Sequence, residues 1–350
     1  MVRLIMIRHA QSLQNAYMES IMEKIGRGEI AMSDFNETMR NGPEEANGGQ
    51  DANLSPHGFG QAEKLGQVWG PLLVGAAKKN RLITYVSPFQ RCCLTADPVM
   101  KYITKHVPSY KATILPSIME EGGLADKKDL DKLDTVNKLI KEGKRKEGIA
   151  ILKSIEWQPM GQTGKEMLER FPWSRKPKDL NADEKKILTN DISSYCLPIP
   201  YDAKWYNFGW EGNKAEHKRM MTLFQWIETL QNNASGQTGD DITIVWFTHG
   251  GTIGNISNRL TTNGVNWNTN NNDKKGEKAE SIALDAIYNT SVTSFLLPSP
   301  TYSYPGERPS SSSSHSVTPW KTRLEFFNDT THLQIERLQR FGQLHLGAKL

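Results

Sequence analysis

A chain of 350 residues that is 37% hydrophobic and 23% charged has the material for a sizeable core, in one domain or two. Its formal net charge of +4 is small for that length, and no basic stretch alternates with aromatic residues, which argues against a nucleic-acid-coating protein. The three cysteines, Cys92, Cys93 and Cys196, are an odd count with an adjacent pair, neither a disulfide framework nor a zinc spacing. A reducing compartment is therefore expected. No apolar run approaches the ~18 residues of a membrane span, and a strand beginning at Val2 leaves no room before it for a secretory leader. The expectation is a cytoplasmic protein, although a chain trimmed of its leader would read the same.

Leu4-Ile5-Met6-Ile7 predicts a short buried strand of the kind found inside a parallel sheet. Arg8 and His9 sit at its C-terminal end, followed by Ser12 and Asn15. Ligands of open α/β sheets bind at the carboxyl ends of strands, so this cationic pair with small polar groups behind it suggests an anion site, phosphate above all. An Arg-His pair is more often structural or solvated, but a second strand, Ile242–Phe247, also ends on a histidine. There Thr248-His249-Gly250-Gly251 adds glycines that let backbone N–H groups approach a ligand closely.

Helical pieces are expected around residues 17–25 and 33–39, followed by a polar stretch, Asn41 to Asp51, with little to bury and the look of a mobile excursion. Ser55 is a good N-cap with Pro56 at the first helical position, and Ala62, Leu65, Val68 and Trp69 recur at helical spacing. Leu82–Val86 predicts a buried strand, and Arg91 lies just past its end. A helix over residues 92–96 follows, with Asp97-Pro98 read as the cap and start of the next. Thr113-Ile114-Leu115 reads as a short strand, leading to Glu120 and Glu121 before a glycine pair. Residues 127–155 carry a lysine-rich helical stripe with Leu130, Leu133, Val136, Leu139 and Ile140. Residues 157–206, rich in Trp, Pro and Tyr, either shape a lid or fill an apolar crevice. Helices are expected around Met220–Leu230 and over Gly250–Leu260, late strands near Val292–Leu297 and Thr322–Asp329, and a helix around 333–341. Ser310–Ser314 is a disordered linker by composition.

Arg8-His9-x-x-Ser12-x-x-Asn15 together with His249-Gly250-Gly251 resembles the histidine phosphatase superfamily, in its phosphoglycerate-mutase-like branch. Leu54-Ser55-x-x-Gly58-x-x-Gln61-Ala62, Ser87-Pro88-x-x-Arg91-x-x-x-Thr95-Ala96, Met119-Glu120-Glu121-Gly122-Gly123 and Asn328-Asp329-x-x-His332-Leu333 are similar to further segments of that family, in its order. Glu211 and Arg219 match a Glu-to-Arg spacing of the family, in a structural role or at the rim of the site.

The resemblance implies a single α/β domain over residues 1–350. Its sheet would be mostly parallel and open with helices on both faces, and insertions would fall at about 16–52, 124–206 and 263–280, with a Ser-rich loop at about 298–318. It also implies site roles: His9 as the nucleophile that becomes phosphohistidine, Arg8 and Arg91 as planar forks for phosphate oxygens, and His249 as a further donor. The Gly250 N–H, Ser12 and Asn15 would add neutral donors, and Glu120 would be the general acid, with Glu121 an open alternative. No metal or cofactor is expected, because the arginines supply the positive charge. The expected partner is a phosphorylated substrate, a small molecule, with no nucleic acid and no membrane span; nothing in the sequence sets an oligomeric state. Mutases of the family carry Glu-Arg-His-Tyr-Gly around the acid. The different segment here favours a phosphatase over two alternatives, a mutase-type phosphotransferase and a non-catalytic phosphate-binding member.

Overall fold

The computed structural model describes residues 2–43, 51–115, 142–154, 160–175, 204–206, 241–261, 289–297 and 323–330, with Lys132, Thr135, Val136, Lys138 and Leu139 between them. The predicted features at Glu120, Glu121, Glu211, Arg219, His332, residues 220–230, the Ser-rich loop and the C-terminal helix lie outside these residues.

The element order is β1 (Val2–Arg8), α1 (Leu13–Gly26), a 3-10 turn (Met32–Asp34), α2 (Phe35–Arg40), α3 (Pro56–Lys78), β2 (Leu82–Val86), α4 (Gln90–His106) and β3 (Thr113–Ile114). Then follow α5 (Arg145–Ser154), β4 (Met160–Thr163), α6 (Gly164–Arg170), β5 (Lys204–Tyr206), β6 (Ile242–Thr248), α7 (Gly250–Thr261), β7 (Val292–Leu297) and β8 (Arg323–Asp329). Six strands form one sheet in the order β3-β2-β6-β1-β7-β8, and β4 and β5 form a separate antiparallel pair. In the six-stranded sheet β3, β2, β6 and β1 pair in parallel; β7 runs against both β1 and β8, so it alone is reversed. The sheet is thus mostly parallel, as expected, with an antiparallel edge.

The central strands are buried on both faces, which is why they read as unbroken apolar runs rather than alternating ones. Ile5, Ile7, Val86, Val245 and Phe247 join the core built with α3 and α4. Leu4, Met6, Ile244 and Trp246 alternate with them onto the other face and are equally buried. On α7, which packs on β1, Ile253, Ile256 and Leu260 are buried.

Capping fixes where the helices start. Ser55 accepts the Gly58 N–H at 3.0 Å and Pro56 occupies the first turn of α3, as predicted. Gly58 is required by close approach, since a Cβ there would lie 2.0 Å from the Gln11 carbonyl oxygen. The predicted break at Asp97-Pro98 is not found: α4 runs through both residues. Asp97 does not cap a helix but accepts the Trp173 indole N–H at 2.9 Å, and Pro98 packs where Gly66 of α3 leaves room, a Cβ on Gly66 lying 2.5 Å from the Pro98 Cβ. Tertiary packing here overrides the local cost of proline inside a helix.

The described residues around α6 fill a crevice. Met167, Phe171 and Trp173 belong to the main core, and Arg175 extends the β3 edge by donating its backbone N–H to the Ala112 carbonyl at 2.7 Å. Val136 is buried and Leu139 half-buried, in keeping with the helical stripe predicted there.

Candidate active site

β1 and β6 pair in parallel with Arg8 opposite Thr248, so the next residue of each strand is a histidine and both leave the sheet at one edge. The His9 N–H donates to the Thr248 carbonyl at 2.9 Å, and the two imidazole centroids lie 5.3 Å apart, edge to face. Neighbouring β2 delivers the third part of the site: the Ser87 N–H donates to the Phe247 carbonyl at 2.9 Å, and the chain then turns into α4 with Arg91 in its first turn. The sequence signal of apolar strands ending in Arg-His, His-Gly and Ser-Pro is thus a signal of three adjacent strand ends.

His9 is buried and its ring is aimed. Nδ1 lies 2.8 Å from the Ala10 carbonyl oxygen, which can only accept, so Nδ1 carries the proton and Nε2 keeps its lone pair. Burial, then the Arg91 and Arg8 charges, hold the His9 pKa well below the ordinary histidine value; the Ala10 hydrogen bond opposes them only partly. A neutral imidazole with a directed lone pair is what nucleophilic attack needs. The Ala10 N–H donates to Thr95 Oγ at 2.8 Å while that hydroxyl donates to the Arg91 carbonyl at 2.6 Å, which ties the end of β1 to α4.

His249 is fully buried. Arg91 can only donate, so the 3.3 Å contact from its Nη2 makes His249 Nδ1 an acceptor and puts the ring proton on Nε2. Nε2 lies 2.9 Å from Ser87 Oγ and 3.5 Å from Cys92 Sγ. Phe89 props both groups: its ring meets His249 edge-on at 5.0 Å and carries the Arg91 guanidinium 4.1 Å above its face. In this arrangement His249 holds Arg91 rather than presenting a proton outward.

Arg8 packs against the start of α7, where a Cβ on Gly250 would lie 3.4 Å from the Arg8 Nε. The Gly250 N–H belongs to the first turn of α7, whose amides intrahelical bonding leaves over. Ser12 and Asn15 have a local role that the sequence reading did not give them. They form the capping box of α1, with Asn15 N–H donating to Ser12 Oγ at 3.1 Å and Ser12 N–H to Asn15 Oδ1 at 3.2 Å. The box uses only their acceptors, so the Ser12 hydroxyl proton and the Asn15 amide hydrogens are outside it.

Sequence reading missed Ser87, Phe89 and Thr95 as supports, although the first and last were quoted within a motif. It also missed two carboxyls. Glu19 accepts from the Gln11 side chain at 2.5 Å and its pKa is raised, first by burial; Arg8 acts in the opposite sense. Asp51, placed in a stretch expected to bury little, accepts the Gln90 backbone N–H at the start of α4. Among the described residues no group of three or more His, Cys, Asp and Glu could hold a metal ion, and no helix is long and apolar enough to cross a membrane.

No protein-family model matches the chain, and no curated protein matches it in sequence. Several solved structures are similar at low identity. An ecdysone phosphate phosphatase from Bombix mori, in complex with tungstate, is 14% identical over 85% of this chain and 89% of its own, with a TM-score of 0.44. A mycobacterial glucosyl-3-phosphoglycerate phosphatase with inorganic phosphate is 16% identical over 95% of this chain and all of its own, TM-score 0.40. A phosphoserine phosphatase mutant from Entamoeba histolytica with phosphoserine is 17% identical over 95% of this chain and all of its own, TM-score 0.35. With the likeness this weak, the ground for a function is the site itself.

Proposed function

We propose that this chain is a phosphatase of the histidine phosphatase superfamily, which hydrolyses a phosphate monoester through a phosphohistidine intermediate on His9. The observation that carries the reading is the parallel β1–β6 pairing. It sets a buried, neutral, oriented His9 beside His249 with Arg8 and Arg91 around them.

The His9 Nε2 lone pair attacks phosphorus, a P–N bond forms, and the ester P–O bond breaks. The leaving alkoxide takes a proton from a carboxylic acid, Glu120 by the family resemblance and Glu121 as the alternative. The same carboxylate then removes a proton from water, which attacks phosphorus; the P–N bond breaks, and orthophosphate leaves with His9 restored. The Arg8 and Arg91 forks and the Gly250 N–H stabilise the three equatorial oxygens. His249, by the family resemblance a further hydrogen-bond donor to the phosphoryl group, also positions the Arg91 fork through its Nδ1.

Two arginines supply the positive charge, so the reaction should run in EDTA. The substrate class is a phosphorylated small molecule. Cys92 and Cys93 are both free thiols, which favours a reducing compartment. The test is turnover of an aryl phosphate in EDTA by wild type, His9→Ala, Glu120→Gln and Glu121→Gln. Loss in His9→Ala and in only one glutamine variant is expected; unchanged turnover in His9→Ala would refute the reading.

A further inference from the structure

A serine hydroxyl within reach of a buried histidine is the usual mark of a nucleophile beside its base. Ser87 and His249 meet that distance, with Oγ 2.9 Å from Nε2, and both residues are fully buried. The far side of the ring reverses the roles. Arg91 Nη2 stands 3.3 Å from Nδ1 and can only donate, so Nδ1 keeps its lone pair and Nε2 carries the proton. Ser87 is therefore the acceptor, and His249 cannot act as its base. Nε2 has a second neighbour, Cys92 Sγ at 3.5 Å, but a thiol sulfur accepts weakly. The serine is itself held on both sides of its backbone. Its N–H donates to the Phe247 carbonyl at 2.9 Å, two residues before His249, and its carbonyl accepts from Cys93 Sγ at 3.4 Å. The hydroxyl thus meets the ring from a fixed point on the neighbouring strand end.

We propose that Ser87 is a positioning residue for phosphoryl transfer. By accepting the Nε2 proton it selects the His249 tautomer whose Nδ1 accepts from Arg91, and so fixes the fork that holds the phosphoryl group. Ser87 bears on the reaction only if Arg91 is a phosphate ligand, as proposed above. A neutral imidazole can carry its proton on either nitrogen, and the hydrogen bonds around the ring decide which form is populated. With the proton on Nδ1 instead, two donors would face each other across the 3.3 Å contact. The guanidinium would then turn away from the ring over the Phe89 face, 4.1 Å beneath it. Ser87 acts through His249 and Arg91, not on substrate itself.

Nitrogen NMR of the histidine rings in the full chain reads the tautomer directly, with His249→Gln identifying the signals. Wild type at neutral pH should show His249 protonated on Nε2 and bare on Nδ1. A proton on Nδ1, or on both nitrogens, would overturn the proposal, and this arm stands even if a variant at residue 87 fails to fold. Ser87→Ala should mix the two tautomers. It should also bind sulfate, the probe for the phosphate site, roughly fivefold to tenfold more weakly, the size of one buried hydrogen bond. The His9 ring signals follow the sulfate titration, so weak binding is still measured. In Arg91→Gln, which removes the fork, Ser87→Ala should lower sulfate affinity no further, because its whole effect passes through the guanidinium. An unchanged tautomer and sulfate affinity in Ser87→Ala, or an equal added loss in the Arg91→Gln background, would overturn the proposal while leaving the phosphate site intact. If wild type binds no sulfate, the phosphate-site reading fails and the proposal with it.

Discussion

Thr95→Val isolates the strut between β1 and α4 with almost no change of shape. Thr95 is fully buried, and its hydroxyl accepts the Ala10 N–H at 2.8 Å while donating to the Arg91 carbonyl at 2.6 Å. In valine the carbonyl keeps its ordinary helical partner, the residue-95 N–H, but the Ala10 N–H is left buried without an acceptor. An unsatisfied buried donor costs about 1–3 kcal/mol, and the methyl that replaces the hydroxyl recovers little of it. The Ala10 peptide also carries the oxygen that aims His9, at 2.8 Å from Nδ1. Loosening it should therefore lower kcat about tenfold, the equivalent of ~1.4 kcal/mol, with a smaller effect on KM. Urea unfolding and aryl phosphate turnover measure the two effects. A variant within ~0.5 kcal/mol of wild type and fully active would show that the strut does not organise the site.

Three further outcomes follow from the buried groups. Because burial, Arg91 and Arg8 together lower the His9 pKa, the acid limb of kcat/KM should fall well below pH 6.5, and Arg91→Gln should move that limb to higher pH; a wild-type limb at 6.5 would contradict the assignment. Asp51 is raised from 3.8 to about 6, so the folded protein binds the extra proton between those values and loses stability as pH rises through them; the two units amount to ~3 kcal/mol at most. Asp51→Asn should lack that loss, so parallel unfolding curves at pH 4 and 7 would argue against it. Cys92 and Cys93 are both fully buried, and burial chiefly pushes the Cys93 thiol up. A disulfide reagent should therefore titrate neither thiol until the protein unfolds, and fast reaction of either in the native state would show that α4 opens.

Some features of this molecule are local and were therefore legible. Leu4–Ile7 and Ile242–Phe247 read as buried strands because both their faces are covered, and Ser55-Pro56 announces α3 because capping involves only neighbours in the chain. The placement of His9, His249 and Arg91 could be anticipated because each follows directly on such a strand or its turn. What the sequence hid depends on contacts between distant segments. The continuity of α4 through Pro98 depends on Gly66 and Trp173. The place of Asp51 depends on Gln90, which lies beyond the whole of α3. Ser12 and Asn15, donors by the family resemblance, also form a capping box, which their three-residue spacing announced and which the reading passed over. The reversed β7 had no signature either, since a buried antiparallel strand reads like a parallel one.

The central claim is that His9 becomes covalently phosphorylated. Wild type and His9→Ala should be mixed with a labelled aryl phosphate in EDTA, quenched in alkali, digested, and searched for a phosphorylated peptide. Phosphohistidine should appear on the peptide carrying His9, survive alkali, disappear in acid, and be absent from His9→Ala together with turnover. Turnover of wild type with no such peptide, or turnover that persists in His9→Ala, would contradict the account.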